Sequence, residues 1–200
     1  MIIKVSIAHT IFLEKAIVTI ESLMGSWEKT DSLTGARFGR PIAFPGSIDF
    51  YIYAVYETEV SFEPYVDDVQ IVTTTGTSDN APFGLTELDA SNYSTIDEDG
   101  RFLFGGNPKD FGVEGEILMD EFSGEGENEL FGISSGMGEV DFEEGVVSGI
   151  GEIEITGGQG IFKNASGTLT FEETEVLAED NGTAVVSGTV TVPIASLLGF

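Results

Sequence analysis

From Ser47 to Glu63 the chain reads SIDFYIYAVYETEVSFE, and its apolar positions fall on every second residue. Ile48, Phe50, Ile52, Ala54, Tyr56, Thr58, Val60 and Phe62 share one face. Asp49, Tyr51, Tyr53, Val55, Glu57, Glu59 and Ser61 share the other. A period of two is the mark of a strand with one buried side. Pro64 ends the run, and DVQIVTTTG (68–76) suits an antiparallel partner after a turn. Further strands are predicted at 113–120, 128–135, 138–143, 146–156, 166–176 and 183–192. In these, Ile153 and Ile155 oppose Glu152 and Glu154. Leu169 and Phe171 oppose Thr168, Thr170 and Glu172. Ala184, Val186, Val190 and Val192 oppose Thr183, Ser187, Thr189 and Thr191. Short strands separated by glycine-rich turns predict an all-β fold, either an antiparallel barrel or a sandwich. The interior is expected to be apolar and free of Asp and Glu, with an acidic, threonine-rich exterior.

Two stretches depart from this pattern. Residues 11–24, IFLEKAIVTIESLM, fit helical spacing through Leu13, Ala16, Ile17, Ile20, Leu23 and Met24. The β-branched Ile11, Ile17, Val18, Thr19 and Ile20 favour a strand instead. Residues 76–112 are rich in Gly, Asp, Asn and Ser and read as a loop-rich insertion in a single domain spanning 1–200. One hairpin is expected within it, turned at Asp97–Gly100. No period of 20 to 50 residues recurs, which excludes a solenoid reading.

Composition narrows the function classes. The chain has 200 residues, enough for one self-sufficient core. Asp and Glu number 35 against 8 Lys and Arg, a net charge of −27. Such a surface repels phosphate backbones and anionic lipid, so nucleic acid is not an expected partner. No apolar run reaches the length of a spanning helix, and no membrane span is expected. The absence of Cys excludes disulfides and thiolate chemistry. The opening MIIKVSIAHTIFLEKAIVTI is interrupted by His9, Glu14 and Lys15 and is not read as a signal peptide. Both a secreted and a cytoplasmic location fit the sequence.

The segment EITGGQGIFKNASGTLTF (154–171) concentrates three glycines in four residues just ahead of a well-patterned strand. It lacks the spacing of a dinucleotide or phosphate loop, and no helix follows to receive an anion. It is therefore read as a tight turn at Thr156–Gly160, an apolar plug at Ile161 and Phe162, and a second turn at Asn164–Gly167. With this motif, the segment Ile155–Phe171 resembles the signature of the allene oxide cyclase barrel, shared more loosely with dirigent proteins. DSLTGARFGRPIAFPGSIDFYIY (31–53) is similar to the early hairpin of the same family. Residues 57–175 are also similar to secreted cyanobacterial proteins that end in a sorting tail, which the ending TVPIASLLGF does not match.

The resemblance implies an antiparallel barrel of about eight strands, an apolar lumen, and homo-oligomers, commonly trimers. Members bind apolar small molecules, and some guide a cyclisation by holding one conformer in a dry cavity. Allene oxide cyclases use a glutamate near the first strand. Glu21 and Glu28 lie in the matching region, but their surroundings do not match, and neither is assigned that role.

The residues expected to line the lumen are Phe50, Ile52, Tyr56, Ile153, Ile155, Phe162, Leu169 and Phe171. Tyr51, Tyr53 and Tyr56, with Trp27, are candidates for a cavity mouth. His9, the only histidine, is read as an ordinary strand residue rather than a triad member or metal ligand. IDEDGR (96–101), DFEEG (141–145) and AEDNG (178–182) gather oxygens at turns, as calcium requires. Asp-Gly and Asn-Gly are also standard hairpin signals, and the turn reading is preferred. No cofactor is expected, calcium being the one cation these motifs leave open. The expected function is binding of an apolar small molecule in the lumen, with a cyclisation guided by shape. The alternative is a secreted or surface structural protein that self-assembles through its acidic exterior.

Overall fold

The computed structural model describes the backbone of Ile3–Lys4 together with residues 46–141, 143–176 and 181–197. Residues 11–24, His9, Glu21, Trp27, Glu28 and most of AEDNG lie outside the described residues. Among the described residues ten strands form one sheet: β1 (Ile3–Lys4), β2 (Ser47–Val66), β3 (Val69–Thr77), β4 (Glu87–Ile96), β5 (Phe102–Gly105), β6 (Asp120–Ser123), β7 (Glu129–Asp141), β8 (Val146–Gln159), β9 (Ser166–Val176) and β10 (Asn181–Pro193). β1 runs parallel to the start of β2, and every other pairing is antiparallel.

The sheet closes into a barrel. β2 is long enough to pair along Ser47–Glu59 with β10 and along Glu57–Val66 with β3. Counted around the ring, the positions are β2, β3, β4, a shared one, β7, β8, β9 and β10. β5 and β6 share a position end to end, because β5 bridges Tyr93–Ile96 to Ser135–Gly138 while β6 bridges Glu87–Ala90 to Leu130–Gly132. The stretch read as an insertion, 76–112, thus contains two of the barrel's strands, with the expected hairpin at Asp97–Gly100. Residues 113–119, predicted as strand, are irregular and pass over the outer face of β4. There Tyr93 Oη donates to Glu116 O at 2.9 Å. The two strands predicted at 128–135 and 138–143 are one, β7.

Alternation decides what fills the barrel. On β2, Ile48, Phe50, Ile52, Ala54, Tyr56 and Thr58 are all buried. All but Thr58 meet Ile153, Ile155, Leu169, Phe171, Val186, Val190 and Val192 in one apolar cluster. Burial of this many side chains is the dominant force holding the ring together.

One end of the barrel is closed, and the glycine-rich segment closes it. β8 continues through Gly157 and Gly158 to Gln159, and the chain then makes a single turn at Gly160–Phe162. Gly160 sits at φ +60°, and a Cβ there would meet Asn128 and Glu127 O. A Cβ on Gly158 would lie 2.7 Å from Phe162 Cβ. These two glycines let the chain fold back so that Phe162 enters the core, with ring centroids 6.0 Å from Phe50 and 5.6 Å from Phe83. Asn128 fixes the arrangement: its Nδ2 donates to Phe83 O, and its Oδ1 accepts from Ile161 N. The helical turn α1 (Ile194–Leu197) packs beside it, with Asn164 Nδ2 donating to Ser196 Oγ at 3.1 Å. Gly157, by contrast, faces open space. Gly160→Ala is expected to cost roughly 2 kcal/mol in urea denaturation, from the strained φ and the crowding. Gly157→Ala is expected to stay within about 0.5 kcal/mol, as at an ordinary surface position. Equal effects at the two sites would contradict this account of the turn.

Candidate functional site

The register separates a filled half of the lumen from a half that keeps space. At one end the Phe50, Phe83 and Phe162 rings pack edge to face on one another. Towards the other end, at the level of Ala54 and Tyr56, a cavity of about 50 Å³ remains. Its apolar wall includes Val72, Leu88, Phe104, Phe122, Phe171 and Val186, and its polar wall is Thr74, Asn92, Asp120 and Glu173. Of the residues expected in the lumen, Ile153 and Phe171 line this cavity. Phe50, Ile52, Tyr56, Ile155, Phe162 and Leu169 are buried in the surrounding core without lining it. Tyr51 and Tyr53 are not at a mouth with Tyr56. They point outward, 56% and 49% exposed, because odd and even positions of a strand face opposite ways.

The interior is not free of carboxylates. Asp120 is 1% exposed and Glu175 8%, and Glu173 lies on the cavity wall. Parity puts them there. Leu169, Phe171, Glu173 and Glu175 are successive inward positions of β9, and Asp120 shares the inward side of β6 with Phe122. The alternation read at Leu169 and Phe171 carries through to the acidic end of the same strand, where the sequence suggests solvent. A second signal lies on the neighbouring strands, where glycines leave room for the acids. Gly149 stands opposite Glu173 and Gly182 opposite Glu175. A Cβ on Gly149 would fall 2.8 Å from Glu173 Cγ, and one on Gly182 would fall 2.7 Å from Glu175 Cδ.

Asp120 and Glu175 are each only partly satisfied. Ser134 Oγ lies 2.8 Å from Asn92 Oδ1 and 3.2 Å from Asp120 Oδ1. One hydroxyl proton cannot serve both acceptors. A protonated Asp120 resolves the conflict, donating to Ser134, which then donates to Asn92. Asp120 Oδ2 is buried with no partner. Thr58 Oγ1 donates to Glu175 Oε1 at 2.9 Å, and Glu175 Oε2 has no partner. Ser94 Oγ, on the inward side of β4, is likewise unpartnered. Burial pushes Asp120 up to about 7. Burial, then the nearby charges of Glu175 and Asp120, push Glu173 up to about 7. Burial also raises Glu175, against the hydrogen bond from Thr58. Tyr56 is raised by burial as well, and its hydroxyl donates to Leu85 O at 2.7 Å. Shifts of this kind gather where a polar group is kept for a purpose or where an ion pair is built. The described cations Arg101, Lys109 and Lys163 are all exposed, and Arg101 is paired with Asp97 and Asp99.

The turn carboxylates have local partners. Asp97 Oδ1 accepts from the amides of Asp99 and Arg101. Asp141 Oδ1 accepts from the amides of Glu143 and Glu144. Among the described residues, no group of three or more His, Cys, Asp or Glu side chains is arranged to hold a metal ion. No described helix is long and apolar enough to cross a membrane.

Comparison with family models, curated proteins and solved structures returns no match.

Proposed function

We propose that the barrel binds the apolar portion of a small molecule in its lumen, at the cavity bounded by Val72, Leu88, Phe104, Phe122, Phe171 and Val186. The observation that carries this reading is the contrast within one barrel. Three aromatic rings fill one half, while a partly open cavity persists in the other, walled mainly by apolar side chains. A drug-sized ligand occupies several hundred Å³. A cavity of about 50 Å³ suits only a few heavy atoms, so the fit is to a short apolar group or the end of a longer molecule. Guidance of a cyclisation by shape, as the family resemblance implies, belongs to this reading, since a shaped wall restricts the conformers a bound chain adopts.

Methyl-resolved NMR titration with 1-butanol and cyclohexanol tests the proposal. Shifts confined to Leu88, Ile153 and Val186, saturating with concentration, are expected. Uniform shifts or none up to the solubility limit would remove the lumen as a binding site.

The acidic exterior supports a second reading, that of a self-assembling structural protein. The outer faces of β2, β4 and β6 bring Glu57, Glu59, Glu87, Asp89 and Glu121 together. Repulsion between such faces needs a cation to be overcome. Light scattering that rises with added calcium and reverses with a chelator would favour assembly. Constant scattering would count against it.

A further inference from the structure

Resting on the reading of the lumen as a binding site, we propose that the cavity selects small apolar molecules that carry a protonated amine, held by the carboxylates of Asp120 and Glu173. The cavity combines two features that an apolar ligand alone leaves unexplained. Its wall carries two carboxyl groups from different strands, β6 and β9, close enough for the charge of Asp120 to act on Glu173. Asp120 is almost wholly buried, yet its Oδ2 has no hydrogen-bond partner. A buried acceptor left open costs free energy that a donor entering the cavity would recover.

The chemistry of the donor follows from the charges. An ammonium group supplies three hydrogens and a positive charge. Charge-assisted hydrogen bonds to a carboxylate are roughly twice as strong as neutral ones. Phe104, Phe122 and Phe171 line the same cavity, and aromatic rings that turn a face to a cation attract it. A carboxylate or phosphate ligand would meet only like charge, within a protein of net charge −27 that concentrates cations around itself. An alcohol can use Asp120 Oδ2 but gains no ion pair.

The titratable groups on the wall of this site are Asp120 from β6 and Glu173 from β9, and those packed next to it are Glu175 from β9 and Tyr56 from β2. The polar neighbours are Thr58, Thr74, Asn92, Ser94 and Ser134. Tyr56 stays protonated, and no described cation faces the cluster. In the empty protein Asp120 and Glu173 hold protons up to about pH 7. An ammonium ion stabilises their ionised forms, so its binding displaces protons. Amine affinity should therefore rise with pH through neutrality and fall on acidification, while the amine itself remains charged throughout this range.

The test compares three probes of matched shape, 1-butylamine, 1-butanol and butanoate, by NMR titration of the full chain in an amine-free buffer. At about pH 8 the amine is expected to bind at least about tenfold more tightly than the alcohol. Butanoate should be weakest, and the amine preference should shrink severalfold at about pH 5.5. Asp120→Asn and Glu173→Gln should each reduce the ratio of amine to alcohol affinity, a ratio that a general loosening of the barrel would leave unchanged. Equal binding of amine and alcohol at about pH 8 overturns the amine assignment while leaving the lumen reading in place. Binding of none of the three overturns both.

Discussion

Asp120→Asn is expected to raise thermal stability at about pH 8 and to leave it unchanged or lowered at about pH 4. In the unfolded chain Asp120 loses its proton near the ordinary value of 3.8, and in the barrel burial delays that loss to about 7. Between these values the folded state binds more protons than the unfolded state, so stability falls as pH rises and levels off above neutrality. At about 1.4 kcal/mol per pH interval, the full cost of ionising Asp120 in place is roughly 4 kcal/mol. Asn cannot ionise, and its amide nitrogen can donate to Ser134 Oγ as the protonated acid does, but its second N–H and its oxygen at the Oδ2 position have no partner, which returns about 1 to 2 kcal/mol of the gain. The net stabilisation of about 2 kcal/mol corresponds to roughly 4 to 8 °C in Tm for a chain of this size. Calorimetry from about pH 4 to 8 reads it directly. A loss of stability of the same size at every pH would mean that Asp120 acts by packing, and that its proton is irrelevant.

Phe162→Ala is expected to destabilise the barrel by about 3 to 5 kcal/mol. Phe162 is fully buried and stacks edge-on against both Phe50 and Phe83, so truncation removes a whole side chain's burial and two ring contacts. The neighbouring backbone is anchored through Asn128 and α1 and has little freedom to collapse into the gap. Urea unfolding should show a lower midpoint with an unchanged slope. A cost below about 1 kcal/mol would show that the closed end contributes little to the core.

The contrast between these two residues explains what was legible in the sequence. Phe162 follows a glycine turn and precedes a strand with clean alternation, and apolar patterning alone places it inside. The same patterning gave the inward positions of β2 from Ile48 to Thr58 and the inward side of β8 and β10, and turn residues gave the hairpin at Asp97–Gly100. Phe62, expected on the same face of β2, is 45% exposed because the strand has by then passed from β10 to pairing with β3 alone. It does not reveal that β5 and β6 share one position in the ring, because that depends on which halves of β4 and β7 they meet. Asp120, Glu173 and Glu175 went unrecognised for a different reason. A carboxylate at the end of a strand ordinarily marks the approach to solvent, and the charge of these strand ends reads that way. Parity counted from Phe171 and Phe122, together with glycines on the facing strands, is the signal that would have found them. The surroundings of His9, Trp27, Glu21 and Glu28 fall outside the described residues, and their assignments stand as expectations.

The pairing of β2 with β10 has a consequence for how the molecule is made. Phe50 bonds across to Val190, 140 positions later, and the ring cannot shut until that last strand has left the ribosome. Until then the meander from β3 to β9 is free to zip by short-range contacts. β2 waits with its β10-facing margin bare, and so does the outer side of β9. Non-local closure of this kind is slow, and bare margins recruit strands from other chains. The negative charges along β2 and β9, Glu57, Glu59, Glu172, Glu173 and Glu175 among them, then repel other nascent copies during the interval when the barrel is most exposed to mispairing.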